Sequence, residues 1–246
     1  MEPVIALVRR YVVDWLSRGD TSVCEEILDP DYTLRIGGHV LAGREAYVQA
    51  TVRGLLEKWP GVGVTVHEVV CAGPWAAARM TEHGPSAKDG SVAAWGIVTL
   101  FESDGTRLVR AWAEEDYAAR HRQLTDGVCD PIDAPASAPW ATISKEGDWA
   151  AEQVTRAWVA GEVLDGVILD DGWLGHDTAL PGCGDPAGTR VDALFSAGPR
   201  VAFHAVREGQ RPLSLAGIVE VQGARVAGGR VIRDRLGLRC AQGAKA

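Results

Sequence analysis

The cysteines of this sequence form no recognisable site. There are five in 246 residues, and no two of them have the C-x-x-C spacing of metal and redox motifs. They are Cys24, Cys71, Cys129, Cys183 and Cys240. Because the set is odd in number and widely scattered, neither a disulfide framework nor a structural zinc site is expected, and we predict reduced thiols.

Long apolar runs and basic stripes are also missing. No run approaches the ~18 residues of a membrane-spanning helix, and the charged, amphipathic segment 1–16 does not resemble a signal peptide. The formal net charge of -8 argues against the basic surface that nucleic-acid-binding chains present. We therefore expect a cytoplasmic protein with no nucleic-acid partner and no membrane partner.

Glycine-rich phosphate-binding motifs are absent as well. Neither G-x-G-x-x-G nor a P-loop occurs, so the sequence predicts no dinucleotide or nucleotide site.

Tryptophan, by contrast, is abundant, with nine Trp against three Phe. An indole covers a large flat area and offers one N–H donor, so it suits both a protein core and a pocket for an aromatic ligand. For Trp15 and Trp95 both interpretations are open.

Helix-like segments come first in the sequence, and strand-like segments follow. Apolar residues recur at helical spacing in three segments, 4–16, 21–27 and 42–59. The period then changes to two, which predicts strands at 62–72, 75–82, 95–102 and 107–116. This order predicts an α+β fold with an antiparallel sheet, because a parallel doubly wound sheet would alternate strands with helices.

The most distinctive stretch is residues 95–124, WGIVTLFESDGTRLVRAWAEEDYAARHRQL. Its Asp104-Gly105 pair is a strong hairpin turn signal. On the returning strand, alternation places Trp112, Glu114 and Asp116 on one face. A carboxylate beside a Trp can be desolvated, which raises its pKa towards values useful for proton transfer. The alternative is a solvated strand end.

Several segments together resemble a known family. A helix ending in L-x-x-G-D, then LDPDY, GREA and finally D-G-x-x-L-V-x-x-W-x-x-x-D with a Gln-Leu tail are similar to SnoaL-like polyketide cyclases of the NTF2-like superfamily. The resemblance covers residues 4–124. It implies a cone, in which a curved antiparallel sheet wraps against helices and encloses an apolar pocket. It also implies cofactor-free chemistry, such as aldol cyclisation, isomerisation, dehydration or epoxide hydrolysis.

The resemblance also implies catalytic residues. Asp116 matches the family's acid/base Asp, which takes a proton from a carbon next to a carbonyl while a polar group stabilises the enolate. His83 is a loose match for a family His, because here it does not follow Gly-Thr, and it could instead be a His near solvent at a strand end. Arg79 shares the face of His83 and is the third candidate.

Epoxide chemistry is the alternative that the resemblance leaves open. Superfamily hydrolases of the limonene-epoxide type use an Arg-x-Asp pair on this strand, whereas Arg79-Met80-Thr81 keeps the Arg and replaces the Asp. Epoxide hydrolysis therefore requires Glu82 or Glu114 to substitute. Tandem copies of the fold also occur in epoxide-opening cyclases.

The remainder of the chain looks like a second, worn copy of the first part. Gly198-Pro199 parallels Gly73-Pro74, which places His204 opposite Arg79. A Pro-rich segment separates the copies and has the composition of an extended linker. We therefore predict a first domain at 1–125, a linker at 126–144 and a degenerate second domain at 145–246.

The second copy differs at the proposed catalytic position. Counting from the final turn, the counterpart of Asp116 falls near Arg239, so no carboxylate is expected there. The polar residues of this copy that could bind a ligand are His176, Asp177, Asp192 and His204. Their spacing matches no metal motif, and no metal is expected.

Together, these features predict cofactor-independent acid/base catalysis, of cyclase or isomerase type, on a small apolar carbonyl metabolite such as a polyketide. The predicted substrate-binding residues are Asp14, Trp15, Tyr32, Trp95 and Trp112. A non-catalytic small-molecule-binding or assembly module is a further alternative. We expect a small apolar or aromatic metabolite as partner and an internal pseudo-dimer of the two repeats, with a homodimer left open.

Overall fold

Two antiparallel-rich sheets organise the chain in the computed structural model, which describes residues 1–161, 163–172, 188–209 and 212–237. The first sheet contains β1 (Leu28–Ile36), β2 (His39–Ala42), β3 (Gly63–Ala72), β4 (Trp75–Pro85), β5 (Val92–Ser103) and β6 (Leu108–Glu115). The second contains β7 (Ile168–Leu169), β8 (Thr189–Ala197), β9 (Arg200–Arg207), β10 (Leu213–Gln222) and β11 (Arg225–Arg233). Their strand orders are β2-β1-β6-β5-β4-β3 and β7-β11-β10-β9-β8.

The helices flank these sheets. They are α1 (Pro3–Arg10), α2 (Val23–Ile27), α3 (Arg44–Thr51), α4 (Tyr117–Asp126) and α5 (Trp149–Ala160). Two π-helical turns, Tyr11–Ser17 and Val52–Leu56, extend α1 and α3, and short 3-10 turns lie at Pro139–Ala141 and Asp170–Gly172. The predicted α+β class is confirmed.

The two sheets share one topology. In each, a four-stranded antiparallel meander ends in a strand that also pairs in parallel with an earlier strand, β6 with β1 and β11 with β7. We call α1–α4 with β1–β6 the first repeat, and α5 with β7–β11 the second repeat. The tandem arrangement of two cone folds is therefore confirmed.

The strand register corrects one part of the predicted repeat. Asp116 follows β6, and its backbone N–H donates to Gly96 O; Asp234 follows β11, and its N–H donates to Ser214 O. Asp234, not a residue near Arg239, is thus the counterpart of Asp116, and the second repeat does have a carboxylate there. Arg239 itself lies outside the described residues.

The error came from the position of the final turn. The β10–β11 turn is at Gly223-Ala224, and a bulge interrupts the pairing between Glu220 and Val221. Aligning Gly229 with the turn residue Gly105 instead moves the counterpart of Asp116 from Asp234 to near Arg239. The predicted correspondence of Arg79 with His204 is unaffected, because each lies on the second strand of its meander at the same register.

Alternation along the strands builds three apolar layers. Ala111 and Ala113 of β6 belong to the core between the first sheet and its helices. Trp112, between them, faces the second sheet, where it stacks on Trp75 with ring centroids 5.5 Å apart. The other face of the second sheet packs against α5. The sheets therefore lie back to back, with helices outside.

The segment between the repeats follows the edge of the first sheet. Ala136 N–H donates to Val66 O and Lys145 N–H donates to Cys71 O, so the segment runs along the edge strand β3 and satisfies its backbone groups. The domain limits at 125 and 144 stay a prediction.

A buried imidazole joins the repeats. His204 Nε2 lies 3.0 Å from Glu114 Oε1 of the first repeat, and its Nδ1 lies 3.1 Å from Asp192 Oδ2. Burial alone would lower the pKa of His204, but the hydrogen bonds and charges of Asp192 and Glu114 raise it above its ordinary value of 6.5. Burial raises the pKa of Glu114, against the lowering effect of His204.

Stability should therefore depend on pH through this cluster. Since the folded-state pKa of His204 is raised, its stabilising effect is complete below pH 6.5 and is lost as pH rises through the folded value. The raised pKa of Glu114 acts in the same direction. We expect the unfolding free energy from urea titrations to fall above pH 6.5 in the wild type and to change much less in His204→Gln. The exposed His39→Gln is the control, and equal pH slopes for wild type and His204→Gln would contradict the prediction.

A close approach at Gly96 also fixes the repeats together. A Cβ at this residue would overlap the Asp171 carboxylate and lie 2.7 Å from Ile232 Cδ1. We expect Gly96→Ala to reduce the unfolding free energy by about 1–3 kcal/mol, because the side chains of the second repeat must shift. Gly228→Ala, a strand glycine with open space around it, should change stability by under ~0.5 kcal/mol. Equal effects of the two substitutions in urea unfolding would show that the contact does not matter.

Candidate active site

A cavity of about 150 Å³ lies inside the cone of the first repeat. Apolar side chains form much of its wall, namely Leu16, Leu34, Ile36, Leu41, Leu55, Ile97 and Ala113. Its polar lining residues are Tyr11, Tyr47, Thr51, Glu82, Thr99, Glu115, Tyr117 and Arg120. The cavity thus combines an apolar wall with two carboxyl groups and one guanidinium.

Glu82 is the more deeply buried of the two carboxyl residues. It lies on β4, two residues after the buried Met80, and is 1% exposed. Its Oε2 is buried and has no hydrogen-bond partner among the described residues. Burial raises the pKa of Glu82 well above its ordinary value, and the charge of Glu115 raises it further.

Glu115 reaches the same cavity from β6. Alternation places it on the face of Ala111 and Ala113, which points into the cone. Trp95 Nε1 donates a 3.0 Å hydrogen bond to Glu115 Oε2. Burial raises the pKa of Glu115, while the Arg120 charge and hydrogen bonds from Trp95 and Tyr117 oppose that rise.

The two carboxyl groups titrate together. Two nearby carboxylates in a poorly solvated site do not both ionise easily, so one proton is retained by the pair. The Arg120 charge and a hydrogen bond from Trp95 favour the ionised form of both residues, but the Tyr117 hydrogen bond favours that of Glu115 alone, and the like charge of Glu115 raises the pKa of Glu82. We therefore assign the proton to Glu82 and the negative charge to Glu115 near neutral pH.

Arg120 supplies the balancing positive charge. It lies in the first turns of α4, and its guanidinium is 4.9 Å from the Trp95 ring centroid, 4.5 Å from that of Tyr117 and 5.7 Å from that of Trp59. Cation–π attraction to these rings restricts the guanidinium to the carboxylate side of the cavity. Its charge lowers the pKa of both Glu82 and Glu115.

Two phenols complete the polar lining. The Tyr11 and Tyr47 hydroxyls form a short hydrogen bond, and Trp15 Nε1 donates to the Tyr47 hydroxyl at 3.0 Å. Burial raises the pKa of both phenols. They are therefore neutral donors at physiological pH.

Asp116 does not line this cavity. It caps α4 by accepting from Ala119 N–H at 2.9 Å, and its carboxylate binds Arg235 Nη2 of the second repeat at 2.6 Å. Burial raises the pKa of Asp116 to about 6, although the Arg235 charge opposes this. The chain turns into the helix directly after β6, which directs this side chain away from the cone.

Arg79 and His83 lie on the opposite face of β4 from Glu82. Arg79 Nη1 is 3.2 Å from Asp171 Oδ1 and 3.4 Å from Asp133 Oδ2, between the repeats. His83 Nε2 is 3.1 Å from Thr65 Oγ1 in an open groove at the sheet edge. The structure therefore does not bring Asp116, Arg79 and His83 together in one pocket.

The predicted substrate-binding residues also lie in different parts of the structure. Trp95 reaches the cavity through its hydrogen bond to Glu115. Trp15 and Tyr32 are fully buried and pack around Tyr47 in a layer behind the cavity wall. Trp112 faces the second sheet, and Asp14 forms an ion pair with Arg18 at 2.7 Å.

The four candidate ligand-binding residues of the second repeat fall into two pairs. Asp192 and His204 contact each other in the interface described above, and His176 and Asp177 lie outside the described residues. In the described ranges, no cluster of three or more His, Cys, Asp or Glu could hold a metal ion.

Sequence reasoning missed the cavity residues Glu115 and Arg120, and it named Glu82 only as a substitute carboxylate in the epoxide alternative. The signal for Glu115 is present in the sequence, because Glu115 alternates with Ala111 and Ala113. The sequence prediction instead places the pocket on the face of Trp112. Nothing in the local pattern of α4 indicated that Arg120 turns towards the cone.

A curved sheet wrapped by helices around a polar-lined cavity defines the first repeat as an NTF2-like cone. More specifically, residues 8–111 match the family model of the SnoaL-like domain, in agreement with the resemblance of the motifs in this part of the chain. A comparison of the sequence with curated proteins gives no match.

Similar solved structures each span about half of this chain. TsrD from Streptomyces laurentii is 25% identical and covers 50% of this chain and 94% of its own, with a TM-score of 0.45. A proposed SnoaL-like polyketide cyclase from Jannaschia sp. CCS1 is 18% identical over 53% and 94%, with a TM-score of 0.45. An LEH-like epoxide hydrolase from M. tuberculosis is 17% identical over 51% and 91%, with a TM-score of 0.44. Among the helices of the described ranges, none is both long and apolar enough to cross a membrane.

The placement of Asp116 predicts a stability effect. Asn can keep the helix cap, but it removes the charge that binds Arg235, so Asp116→Asn should reduce the unfolding free energy by about 1–3 kcal/mol at pH 7. The exposed Asp126→Asn, at the other end of α4, is the matched control. Unchanged urea unfolding of Asp116→Asn would contradict a structural role for this ion pair.

Proposed function

We propose that the first repeat catalyses cofactor-independent proton transfer, of cyclase or isomerase type, on a small carbonyl metabolite. The observation that supports this most directly is the pair of carboxyl groups, Glu82 and Glu115, that face one cavity beside the Arg120 guanidinium. Such chemistry requires a proton donor and a proton acceptor in one site, and two carboxyl groups can supply both when one is protonated and the other is ionised.

Glu115 acts as the base in this mechanism. Its carboxylate takes a proton from the carbon next to the substrate carbonyl, the electron pair of the broken C–H bond forms a C=C bond, and the π pair of the carbonyl moves to its oxygen. Glu82 donates its proton to that oxygen, and Arg120 stabilises the negative charge as it develops. The enol then either attacks a second carbonyl carbon, whose oxygen takes the proton held by Glu115, or is protonated by Glu115 at another carbon. In both cases the O–H proton of the enol returns to Glu82 as the first carbonyl forms again.

Epoxide opening is the second candidate, and the position of Glu82 favours it. The motif Arg79-Met80-Thr81 lacks the expected Asp, and of the two possible substitutes Glu82 lines the cavity while Glu114 faces the second sheet. In this reaction Glu115 takes a proton from the attacking water or hydroxyl, whose oxygen bonds to the epoxide carbon. Glu82 protonates the leaving epoxide oxygen.

The assignment of catalysis to Asp116, with His83 and Arg79, rests on the family resemblance. Against it stand the cap to Ala119 and the ion pair with Arg235, which occupy the Asp116 carboxylate. We therefore place the base at Glu115, one residue earlier on the same strand.

Hydrogen–deuterium exchange at the α-carbon of cyclohexanone tests the proposal, because it reports proton abstraction alone. We expect the wild type to accelerate exchange, and Glu115→Gln to slow it by about 10²–10⁴-fold through loss of the base. Exchange is followed by proton NMR in deuterated buffer. The control Glu45→Gln changes the same side chain on the surface and should leave the rate unaltered. Loss of exchange in Asp116→Asn but not in Glu115→Gln would instead support the family assignment.

The pH dependence gives an independent test. Activity requires ionised Glu115 and protonated Glu82, so it should fall at low pH as Glu115 binds a proton and at high pH as Glu82 loses one. Because both pKa values are raised, the acidic limb should lie above the ordinary glutamate value of 4.5. Glu82→Gln should lose the basic limb in a rate–pH profile, and a basic limb identical to that of the wild type would argue against Glu82 as the acid.

Styrene oxide separates the two candidate reactions. Hydrolysis of this epoxide without cyclohexanone exchange would favour the second candidate. Exchange without hydrolysis would favour the first, and the failure of both would argue against a catalytic cavity.

A further inference from the structure

We propose that the cavity of the first repeat takes a neutral ligand with a single six-membered ring and one carbonyl or hydroxyl group. The inference rests on the proposed function in one respect, since it takes the Glu82–Glu115 cavity as the reaction site. It narrows the proposed substrate class from small carbonyl metabolites in general to monocyclic carbonyl compounds and phenols.

The size of the cavity sets the ring count. Its volume is about 150 Å³, and an engineered apolar cavity of about this volume in another protein holds one benzene molecule. A fused ring system exceeds this volume and fits inside only if the wall moves. Much of that wall is a hydrogen-bonded sheet whose residues Ile97 and Ala113 are buried, so adding a second ring would disturb the core.

The balance of charges in the site disfavours charged ligands. With the proton on Glu82, the Glu115 carboxylate and the Arg120 guanidinium balance each other. A ligand carboxylate would add a second negative charge beside Glu115, and a ligand ammonium would compete with Arg120 for it. Either uncompensated charge is costly beside the Glu82 carboxyl, which is 1% exposed and so removed from water.

The distribution of polar groups orients the ring. The charged groups of Glu82, Glu115 and Arg120 come from β4, β6 and α4, whereas the aliphatic Leu34, Ile36 and Leu41 come from β1 and β2. The ligand oxygen therefore points to the carboxyl pair, and the ring carbons lie among the aliphatic side chains. This orientation places the α-carbon of a cyclic ketone on the side of Glu115.

Three substitutions change the cavity volume, two by filling the cavity and one by enlarging it. Ala113→Leu adds a side chain to the cavity floor, and Ala50→Leu does so at the half-exposed rim, where misfolding is not expected. Leu41→Ala, on the partly exposed strand β2, enlarges the cavity. Ala46→Leu, on the exposed side of α3, is the control.

The binding of four probes at neutral pH tests the inference by calorimetry and ligand-observed NMR. We expect phenol to bind the wild type at least about tenfold more tightly than 2-naphthol, benzoate or benzylammonium. Ala113→Leu and Ala50→Leu should each weaken phenol about tenfold or more, and Leu41→Ala should improve 2-naphthol relative to phenol. Naphthol binding as tight as phenol in the wild type, tighter benzoate or benzylammonium, or unchanged phenol binding in both filling variants would overturn the proposal.

The same probes in Glu115→Gln distinguish this inference from the proposed reaction. If the preference for one ring persists in Glu115→Gln, and cyclohexanone exchange is equal in this variant and the wild type, the ligand class stands and the reaction fails. If exchange requires Glu115 but the size series fails, the reaction stands and the ligand class is wrong.

Discussion

Three consecutive acidic residues at the end of one strand, each directed to a different cation, determine how this chain is put together. Glu114 meets His204 of the second sheet, Glu115 faces Arg120 of the following helix, and Asp116 binds Arg235 beyond the last strand. A carboxylate removed from water is costly unless a partner compensates for it. The β6 end can therefore exist in this form only when the cone, the α4 helix and the second repeat are all in place.

The second repeat thus contributes more than a covering surface. Its sheet buries the Trp112 face of the first sheet, and it supplies the basic partners of two of the three acids. In the described part of the chain, the cavity itself is lined by the first repeat alone. The first repeat accordingly contains the candidate site, and the second repeat stabilises the β6 strand that carries Glu115.

Much of the fold could be predicted from the sequence, because most strands of the first repeat are apolar, β-rich runs and the turns between them carry Gly with Asp or Pro. The registers that failed did so for local reasons. Taking Gly229 rather than Gly223 as the turn residue hides the match between Asp234 and Asp116, because counting from a turn carries any error in the turn to the end of the strand. The limits between the domains could be proposed from composition but depend on no residue pattern as definite as a strand.

The site was harder to predict than the fold. Alternation shows that Glu114 and Glu115 face opposite ways, but not which face encloses a cavity and which meets another sheet. That choice depends on the curvature of the sheet and on what packs behind it, neither of which is local. The family motif indicates the correct strand end, yet the helix that begins after Asp116 redirects that side chain, and Arg120 becomes relevant only once this helix has folded back.

Gly96 and Ser214 show that the two repeats, although they share one topology, no longer make symmetric contacts. They occupy equivalent places, yet Gly96 leaves space for the Asp171 carboxylate, whereas Ser214 donates a hydrogen bond to Gly37 O at 3.1 Å. Each sheet has thus become shaped to the other and no longer to a copy of itself. Two first repeats placed face to face would leave a gap where the serine hydroxyl now sits. The two repeats are therefore complementary in the way that the subunits of a heterodimer are, although they lie on one polypeptide. Exchanging either repeat for a copy of the other would not preserve their contacts.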